Sequence, residues 1–275
     1  MLYGPIIRRI RLSKGQQLQV VYHNICSKTN AIRFEKGEQS IAIEKFEAIL
    51  ERLTITMEEF KWITNNNLPK EDKKWQELCV ETWNANQLPF FNNLLKLSPD
   101  TYLSETLVAN YELLAIVTQE KPLSSEIQKI VANYFSRLEN WNYEDLKFFA
   151  NSCYILPVAQ FMGLLNEVVP SLGRYRFYPG GQLVEAVLYS NVTARLILEE
   201  EIVLAKKYLT QLVIISKGSH LQGFRLFAKF YEGKLAYLYE DKEIGRRLLE
   251  KVLWTADYLD STQLVEDVKK LLDSN

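Results

Sequence analysis

The sequence predicts an all-α protein in two parts, a head of five short helices and a body of helical repeats. Three observations carry this prediction. Apolar residues recur at i, i+3, i+4 and i+7 along most of the 275 residues, the spacing that gives a helix one buried face. Alternating apolar and polar residues, the mark of a half-buried strand, are nearly absent; 174–178 is the one short candidate, and it reads better as a loop. The helical segments are short up to about residue 65 and long beyond it, with single prolines or glycines between them. The expected domains are a head over 1–65, a linker over 66–70 and a repeat body over 71–275.

In the head, Gly4-Pro5 opens the first helix, with the proline in the first turn, where its missing N–H costs nothing. Tyr3, Ile7 and Ile10 form its inward stripe and Gly15 stops it. Leu18–Tyr22 is a short second helix with Gln16 or Gln17 as a weak cap, and 23–26 forms a turn. Ser27 caps a third helix, whose Ala31 and Phe34 face inward and which ends at Gly37. Ile43, Phe46, Ile49, Leu50 and Leu53 mark a fourth. Thr56-x-x-Glu59 is a capping box before Phe60, Trp62 and Ile63, the fifth.

Asn65-Asn66-Asn67-Leu68-Pro69-Lys70 is polar, turn-prone and closed by a proline, which suits a linker. Body helices are expected at 75–83, 102–117, 127–138, 143–156, 158–169, 183–198, 202–215, 221–239, 244–258 and 263–272. Pro89, Pro99, Pro122, Pro157, Pro170 and Pro179 fall at or near the gaps. Antiparallel helices of this length stack as a solenoid of hairpins. Gly233 and Gly245, twelve apart, match the two small-residue positions of a tetratricopeptide-like repeat, where paired helices approach closely. Tyr231, Leu235, Leu248 and Leu249 supply its large packing positions, so a tetratricopeptide-like superhelix is the expected architecture.

A net charge of −1 hides an uneven distribution. The first 38 residues carry seven cations (Arg8, Arg9, Arg11, Lys14, Lys28, Arg33, Lys36) against Glu35 and Glu38, a net +5 that leaves −6 on the remainder. A basic head on an acidic body suits a protein whose head alone meets phosphate. Cys26, Cys79 and Cys153 are too few and too far apart for a disulfide scaffold or a zinc site, and fit a reducing compartment. No N-terminal apolar run suits a signal peptide, and none reaches the ~18 residues that span a membrane. A soluble cytoplasmic protein is expected, with no membrane partner, metal or cofactor. His23 and His220 are the only histidines, neither at metal spacing from a cysteine or carboxylate. Glu199-Glu200-Glu201 reads as a solvated helix start and Gly180-Gly181 as a plain turn. With no GxSxG, P-loop or HExxH motif, no enzyme is expected.

The third helix carries the functional prediction. Arg33 can address a guanine edge, Asn30 an adenine edge, Thr29 a thymine methyl, and Lys28 a phosphate or guanine. An ordinary solvated helix is the competing reading.

Residues 4–38 resemble the helix-turn-helix of lambda-repressor-like (Xre) proteins, through Arg11-x-x-Lys14-Gly15 and Arg33-Phe34-Glu35-Lys36-Gly37-Glu38. Followed by Ile41, Phe46, Leu50 and Ile55-Thr56-x-x-Glu59-Phe60, the second motif resembles the Rgg/GadR/MutR regulators of Gram-positive bacteria. Glu139-Asn140-Trp141-x-Tyr143-Glu144-x-Leu146-x-x-Phe149 is similar to a motif in that family's regulatory domain. The resemblance implies a DNA-binding transcriptional regulator of the quorum-sensing type. Its C-terminal helical repeats would dimerise and sense a short secreted signalling peptide. The implied partners are operator duplex DNA, the peptide and a second copy of the chain. By position, Gln17 would touch phosphate at the start of helix two, and Lys28, Thr29 and Arg33 would face bases. The resemblance also implies that Arg11 pairs with Glu35, joining helices one and three, instead of meeting DNA; a bidentate fork suits that task. Ile32 stands where the family usually has serine, and Tyr22 where a small residue packs. Both imply local repacking, and Ile32 can alter a DNA or helix contact. Gln17 is also a poorer cap than the family's common serine.

In the body, an extended peptide needs amides for its backbone, a cation for its carboxylate and apolar pockets. Asn191 and Arg195 share a helix face, with Val187 and Leu188 one turn earlier. Asn151 and Tyr154 are close together on another helix, and Phe224, Arg225 and Tyr231 are candidates on a third. Each has solvent or a neighbouring helix as its competing placement. Two other functions stay open: a helical-repeat adaptor whose basic head binds an acidic protein, and a repressor regulated by a small molecule instead of a peptide.

Overall fold

The computed structural model describes residues 3–67 and 125–273, together with 74, 75, 77–79, 81 and 93. The chain divides into two units, Met1–Asp100 and Thr101–Asn275. Of the linker expected at 66–70, only Asn66 and Asn67 fall among the described residues. The helix expected at 102–117, much of the one at 75–83, and Pro89, Pro99 and Pro122 lie outside them.

The first unit contains α1 (Tyr3–Ser13), α2 (Leu18–Tyr22), α3 (Lys28–Glu35), α4 (Ile43–Arg52) and α5 (Met57–Thr64). Ser27 Oγ accepts the Asn30 N–H at 3.3 Å and Thr56 Oγ1 accepts the Glu59 N–H at 3.0 Å, so α3 and α5 start where their caps predict. Gln17 has an extended cap conformation but makes no side-chain cap bond. The core gathers Ile7, Val21, Ala31, Phe34, Phe46, Ile49, Leu53 and Phe60. Tyr3 and Ile43, expected on the inward stripes of their helices, are exposed, and so is Trp62. Gly4 takes the inward position that Tyr3 was expected to fill. The first turn of α1 runs against the backbone at Phe34, where any Cβ would strike the carbonyl oxygen. Tyr3 instead stacks on Phe46 at 5.6 Å and meets Phe60 edge-on at 5.1 Å. With Ile43, Phe34 and Met57 it lines a cleft of about 570 Å³.

The second unit contains α6 (Ser125–Ser136), α7 (Tyr143–Asn151), α8 (Val158–Leu172), α9 (Gly181–Leu198), α10 (Ile202–Ile215), α11 (Gln222–Tyr239), α12 (Lys242–Tyr258) and α13 (Thr262–Asp273). Short 3-10 turns at Gly173–Tyr175 and Ser219–Leu221 join two of the pairs, and the described residues contain no strand. Several boundaries differ from expectation. The helix expected over 143–156 ends at Asn151; Pro157, which keeps Leu156 from helical geometry, stands as the N-cap of α8. Pro170 lies inside α8, in its last turn, where the loss is confined to one ladder bond. Glu199-Glu200-Glu201 is an exposed connector, and only its last residue, Glu201, stands at a helix start, as the N-cap of α10. Glu199 follows α9 and pairs with Arg195 at 2.7 Å, while Glu200 adopts a left-handed φ of 60°.

The Trp141 motif is a packing device. Trp141 stacks on Phe135 and meets Phe149 edge-on, and its Nε1 donates to Glu167 Oε2 at 3.2 Å. Tyr134 donates to Asp145 at 2.6 Å, and Asp145 also accepts the Asn142 N–H at 2.9 Å. These bonds lock α6, α7 and α8 together. Further on, α9 pairs with α10 and α11 with α12, while α7, α9 and α11 touch in one row. Gly233 lies against Leu248 and Leu249, and Gly245 against the Tyr237 backbone, so both glycines sit at the close α11–α12 contact that their spacing predicts. No helix among the described residues is long and apolar enough to cross a membrane.

Candidate functional site: nucleic-acid interface and ligand groove

In the head, α3 turns Ala31, Phe34 and Glu35 inward and leaves Lys28, Thr29, Asn30, Ile32 and Arg33 in solvent. Gln17 is also exposed, at the start of α2. All five predicted DNA-facing residues are thus accessible on the helix-turn-helix. Arg33 Nε lies 3.9 Å from Glu38 Oε2, and Lys36 Nζ lies 3.7 Å from Glu38 Oε1. Both pairs are half-exposed, and an exposed pair contributes only about 0–1 kcal/mol, so a phosphate or a guanine edge can displace Glu38. Ile32, 38% exposed, sits three residues from Thr29 and four from Lys28, on the same face. Its apolar side chain can meet a thymine methyl. The sequence marks it as a departure from the family pattern that can alter a DNA or helix contact, and its exposure leaves the DNA contact open.

Behind this face, Arg11 and Glu35 form the expected fork. Nε and Nη2 of Arg11 donate to the two carboxylate oxygens at 2.7 Å each, and Nη1 donates to the Gln16 carbonyl at 2.8 Å. The bond to Glu35 raises the Arg11 pKa further above its ordinary value. Tyr22 packs beside the fork; burial first, and the Glu35 carboxylate second, push its phenol up. Arg52 was not anticipated. It donates from α4 to the Val20 and Val21 carbonyls at 3.2 Å each, closing the end of α2 just before the turn into α3. Arg11 and Arg52 are therefore positioning residues.

In the body, the candidates divide. Asn191 Nδ2 donates to the Ala150 carbonyl at 2.9 Å, and Arg195 Nη1 to the Tyr154 carbonyl at 2.7 Å. Tyr231 Oη lies 3.4 Å from Ser190 Oγ. The Tyr154 phenol is pushed well above its ordinary pKa by burial, with Tyr231, Cys153, Arg195 and Asp267 close enough to act on it. Four predicted residues, Tyr154, Asn191, Arg195 and Tyr231, thus converge from the segment that follows α7 and from α9 and α11, with Val187 one turn before Asn191 on α9. Three do not join them. Asn151 is exposed and bonds back to the Lys147 carbonyl of its own helix. Arg225 is engaged with the Val213 carbonyl at 3.1 Å, and Phe224 packs half-buried against the core.

Ser190, Lys234 and Asp267 belong to the same cluster and were missed. Burial lowers the Lys234 pKa and Asp267 opposes that shift. Lys234 follows Tyr231 by three residues, a helical spacing that could have flagged it; Asp267, on α13, has no signal in sequence. The cluster offers an amide, a guanidinium, an amine and hydroxyls, a donor-rich set suited to carbonyls and carboxylates. The described residues contain no group of His, Cys, Asp and Glu able to hold a metal ion.

Residues 105–270, more than half the chain, match the C-terminal domain of the HTH-type transcriptional regulator Rgg. A transcriptional regulator of Listeria monocytogenes EGD-e has a similar crystal structure, with 27% identity, 99% of this chain and 97% of that one covered, and a TM-score of 0.81. The SHP pheromone receptor Rgg2 of Streptococcus dysgalactiae is 17% identical over 99% of this chain and 100% of its own, with a TM-score of 0.76. PlcR of Bacillus thuringiensis, crystallised with the peptide PapR7 and DNA, is 14% identical over 97% of this chain and 98% of its own, with a TM-score of 0.70. The last two establish likeness of fold, which spans both units. On the family match, the chain belongs to the Rgg family of helix-turn-helix transcriptional regulators.

Proposed function

We propose that this regulator binds operator DNA through α3 as a dimer, and that its helical-repeat body senses a short signalling peptide that controls this binding. The exposed polar face of α3, braced from behind by the buried Arg11–Glu35 fork, carries the reading. Gln17 serves phosphate, and Lys28, Thr29, Asn30 and Arg33 serve base edges and their flanks. Two copies present two such helices to half-sites on one side of the duplex. The cluster of Tyr154, Asn191, Arg195 and Tyr231 supports a peptide over a small apolar ligand, because its donors, which hold backbone carbonyls in this structure, are taken over without loss only by a ligand that brings carbonyls or a carboxylate of its own. The pheromone receptor Rgg2 and the peptide complex of PlcR support the same direction. The protein acts in the cytoplasm, without catalysis, and its working parts are a head over 1–65, a linker over 66–70 and a body over 71–275.

Fluorescence anisotropy on duplex DNA from upstream of the protein's own gene tests this reading. Log affinity should fall linearly with log salt, and short apolar peptides should shift the specific binding curve. Asn191→Ala should abolish the peptide response and leave operator affinity within about threefold. Affinity that ignores salt would favour an adaptor over a DNA-binding protein. A salt-dependent protein that ignores peptides but answers to a small molecule would remove the peptide from the reading.

A further inference from the structure

The chain turns sharply after α3 and brings a carboxylate back beside the face that carries the DNA-binding residues. At Gly37 the backbone takes a left-handed φ of 78°. Its N–H donates to the Phe34 carbonyl and the Glu38 N–H to the Arg33 carbonyl, at 2.8 Å each. Gln39 Nε2 donates to the Asn30 carbonyl at 3.1 Å. These bonds fix the backbone on both sides of Glu38 against the helix it has just left. The Glu38 side chain is half-exposed and reaches two cations, Arg33 at Nε over 3.9 Å and Lys36 at Nζ over 3.7 Å. Neither cationic side chain makes another hydrogen bond or ion pair among the described residues.

Helix stability does not explain a carboxylate at this point. The negative end of the α3 dipole favours Arg33 and Lys36 there and disfavours Glu38, and half-exposed ion pairs add little. What Glu38 changes is the charge of the face, from the +2 of Arg33 and Lys36 to a net +1. The two kinds of acceptor on DNA respond differently to it. A phosphate is itself an anion, so drawing Arg33 or Lys36 onto it either crowds two negative groups or breaks the pair with Glu38. A guanine edge is neutral and offers O6 and N7 to a fork. Glu38 faces Arg33 from the Nε side, which leaves Nη1 and Nη2 for guanine while the carboxylate stays in place.

We infer that Glu38 is a positioning residue that determines specificity: it presents Arg33 to a guanine by the Nη edge and withholds Arg33 and Lys36 from phosphate. This role rests on the DNA-binding reading of α3. Glu38 then sharpens discrimination without touching a base, by making the wrong DNA a poorer partner.

Fluorescence anisotropy on the full chain tests this role with two duplexes. One is selected by the wild-type protein from a randomised pool; the other is its shuffled counterpart of the same length and composition. Glu38→Gln keeps the size and polarity of the side chain, removes its charge and should leave circular dichroism unchanged. Its affinity for the shuffled duplex should rise about three- to tenfold, and log affinity should fall more steeply with log salt, by about 0.9 for each phosphate gained. Affinity for the selected duplex should stay level or fall, so the ratio of the two affinities should drop about threefold or more. With Arg33→Ala already in place, Glu38→Gln should move both duplexes together and leave their ratio unchanged. An equal rise on both duplexes in the Glu38→Gln variant would make Glu38 a plain repeller of DNA and overturn the inference. So would an unmoved ratio, or a ratio that still drops in the Arg33→Ala background. A wild type that selects no sequence would overturn the DNA-binding reading along with it, whereas one that selects a sequence and shows no effect of Glu38→Gln overturns this role alone.

Discussion

Arg11 and Glu35, 24 residues apart in sequence, close a buried side-on fork that ties α1 to the end of α3. Arg11→Ala leaves a buried carboxylate unpaired, which typically costs about 3–5 kcal/mol. Calorimetry should show the head's transition falling sharply in temperature. Replacing both partners together, Arg11→Met with Glu35→Leu, should recover most of the loss. If the double variant is no better than the single one, the fork is not the source of the effect.

Arg33 should act on specificity more than on adhesion. Loss of one base-edge contact costs about 1–3 kcal/mol. Arg33→Ala should therefore weaken operator binding about 5- to 150-fold while non-specific binding changes little. Parallel losses on operator and random DNA would leave Arg33 as a phosphate contact.

Ile32 predicts a change of preference instead of a loss of affinity. Ile32→Ser exchanges an apolar contact for a hydroxyl on the exposed face of α3. Selection from randomised duplexes should show reduced preference for T·A at one position in each half-site. An unchanged selected sequence would place Ile32 outside the interface.

Gly245 admits the backbone of Tyr237 where α11 and α12 cross. Gly245→Ala must push two backbones apart, so the cost should meet or exceed the ~1–3 kcal/mol of ordinary overpacking. Urea unfolding followed by circular dichroism should show the body destabilised and the head unaffected.

Tyr231 predicts a pH dependence. Burial pushes its phenol up to about 12, above the ordinary tyrosine value of about 10. The folded state then holds the proton more tightly than the unfolded chain. This contribution is fully present below pH of about 10 and is lost as pH rises toward about 12. Tyr231→Phe should flatten the decline of melting temperature in that window. A slope identical to wild type would mean that other buried tyrosines account for the alkaline loss.

Much of the fold was legible because its signals are local. Caps at Ser27 and Thr56, the apolar stripe of α4 from Phe46 onward and the Gly233/Gly245 pair each report on neighbours a few residues away, and each holds in the structure. Tyr3 misled because periodicity cannot show that α1 presses a backbone against α3, which admits only Gly4 at that point. Pro170 misled because a proline near a helix end costs one bond, too little to stop α8. The candidate groove was harder to read. Helical spacing puts Asn191 and Arg195 on one face, but it cannot show that their donors meet carbonyls 41 residues earlier. Asp267 reaches the cluster only through tertiary structure, and Arg225 resembles a ligand-binding cation until its bond to Val213 is seen.

Asn191 and Arg195 do not wait as loose donors. Each already holds a carbonyl at or just past the end of α7, so a guest on this face must take those hydrogen bonds over. The exchange is close to balanced when the guest brings carbonyls of its own and unfavourable when it does not, since it would leave buried polar groups unmet. On the proposed reading, oily molecules would be rejected without any steric gate. Under that proposal a suitable guest would also undo the stitches from α9 to α7 and the segment after it, so that recognition and mechanical release become a single event.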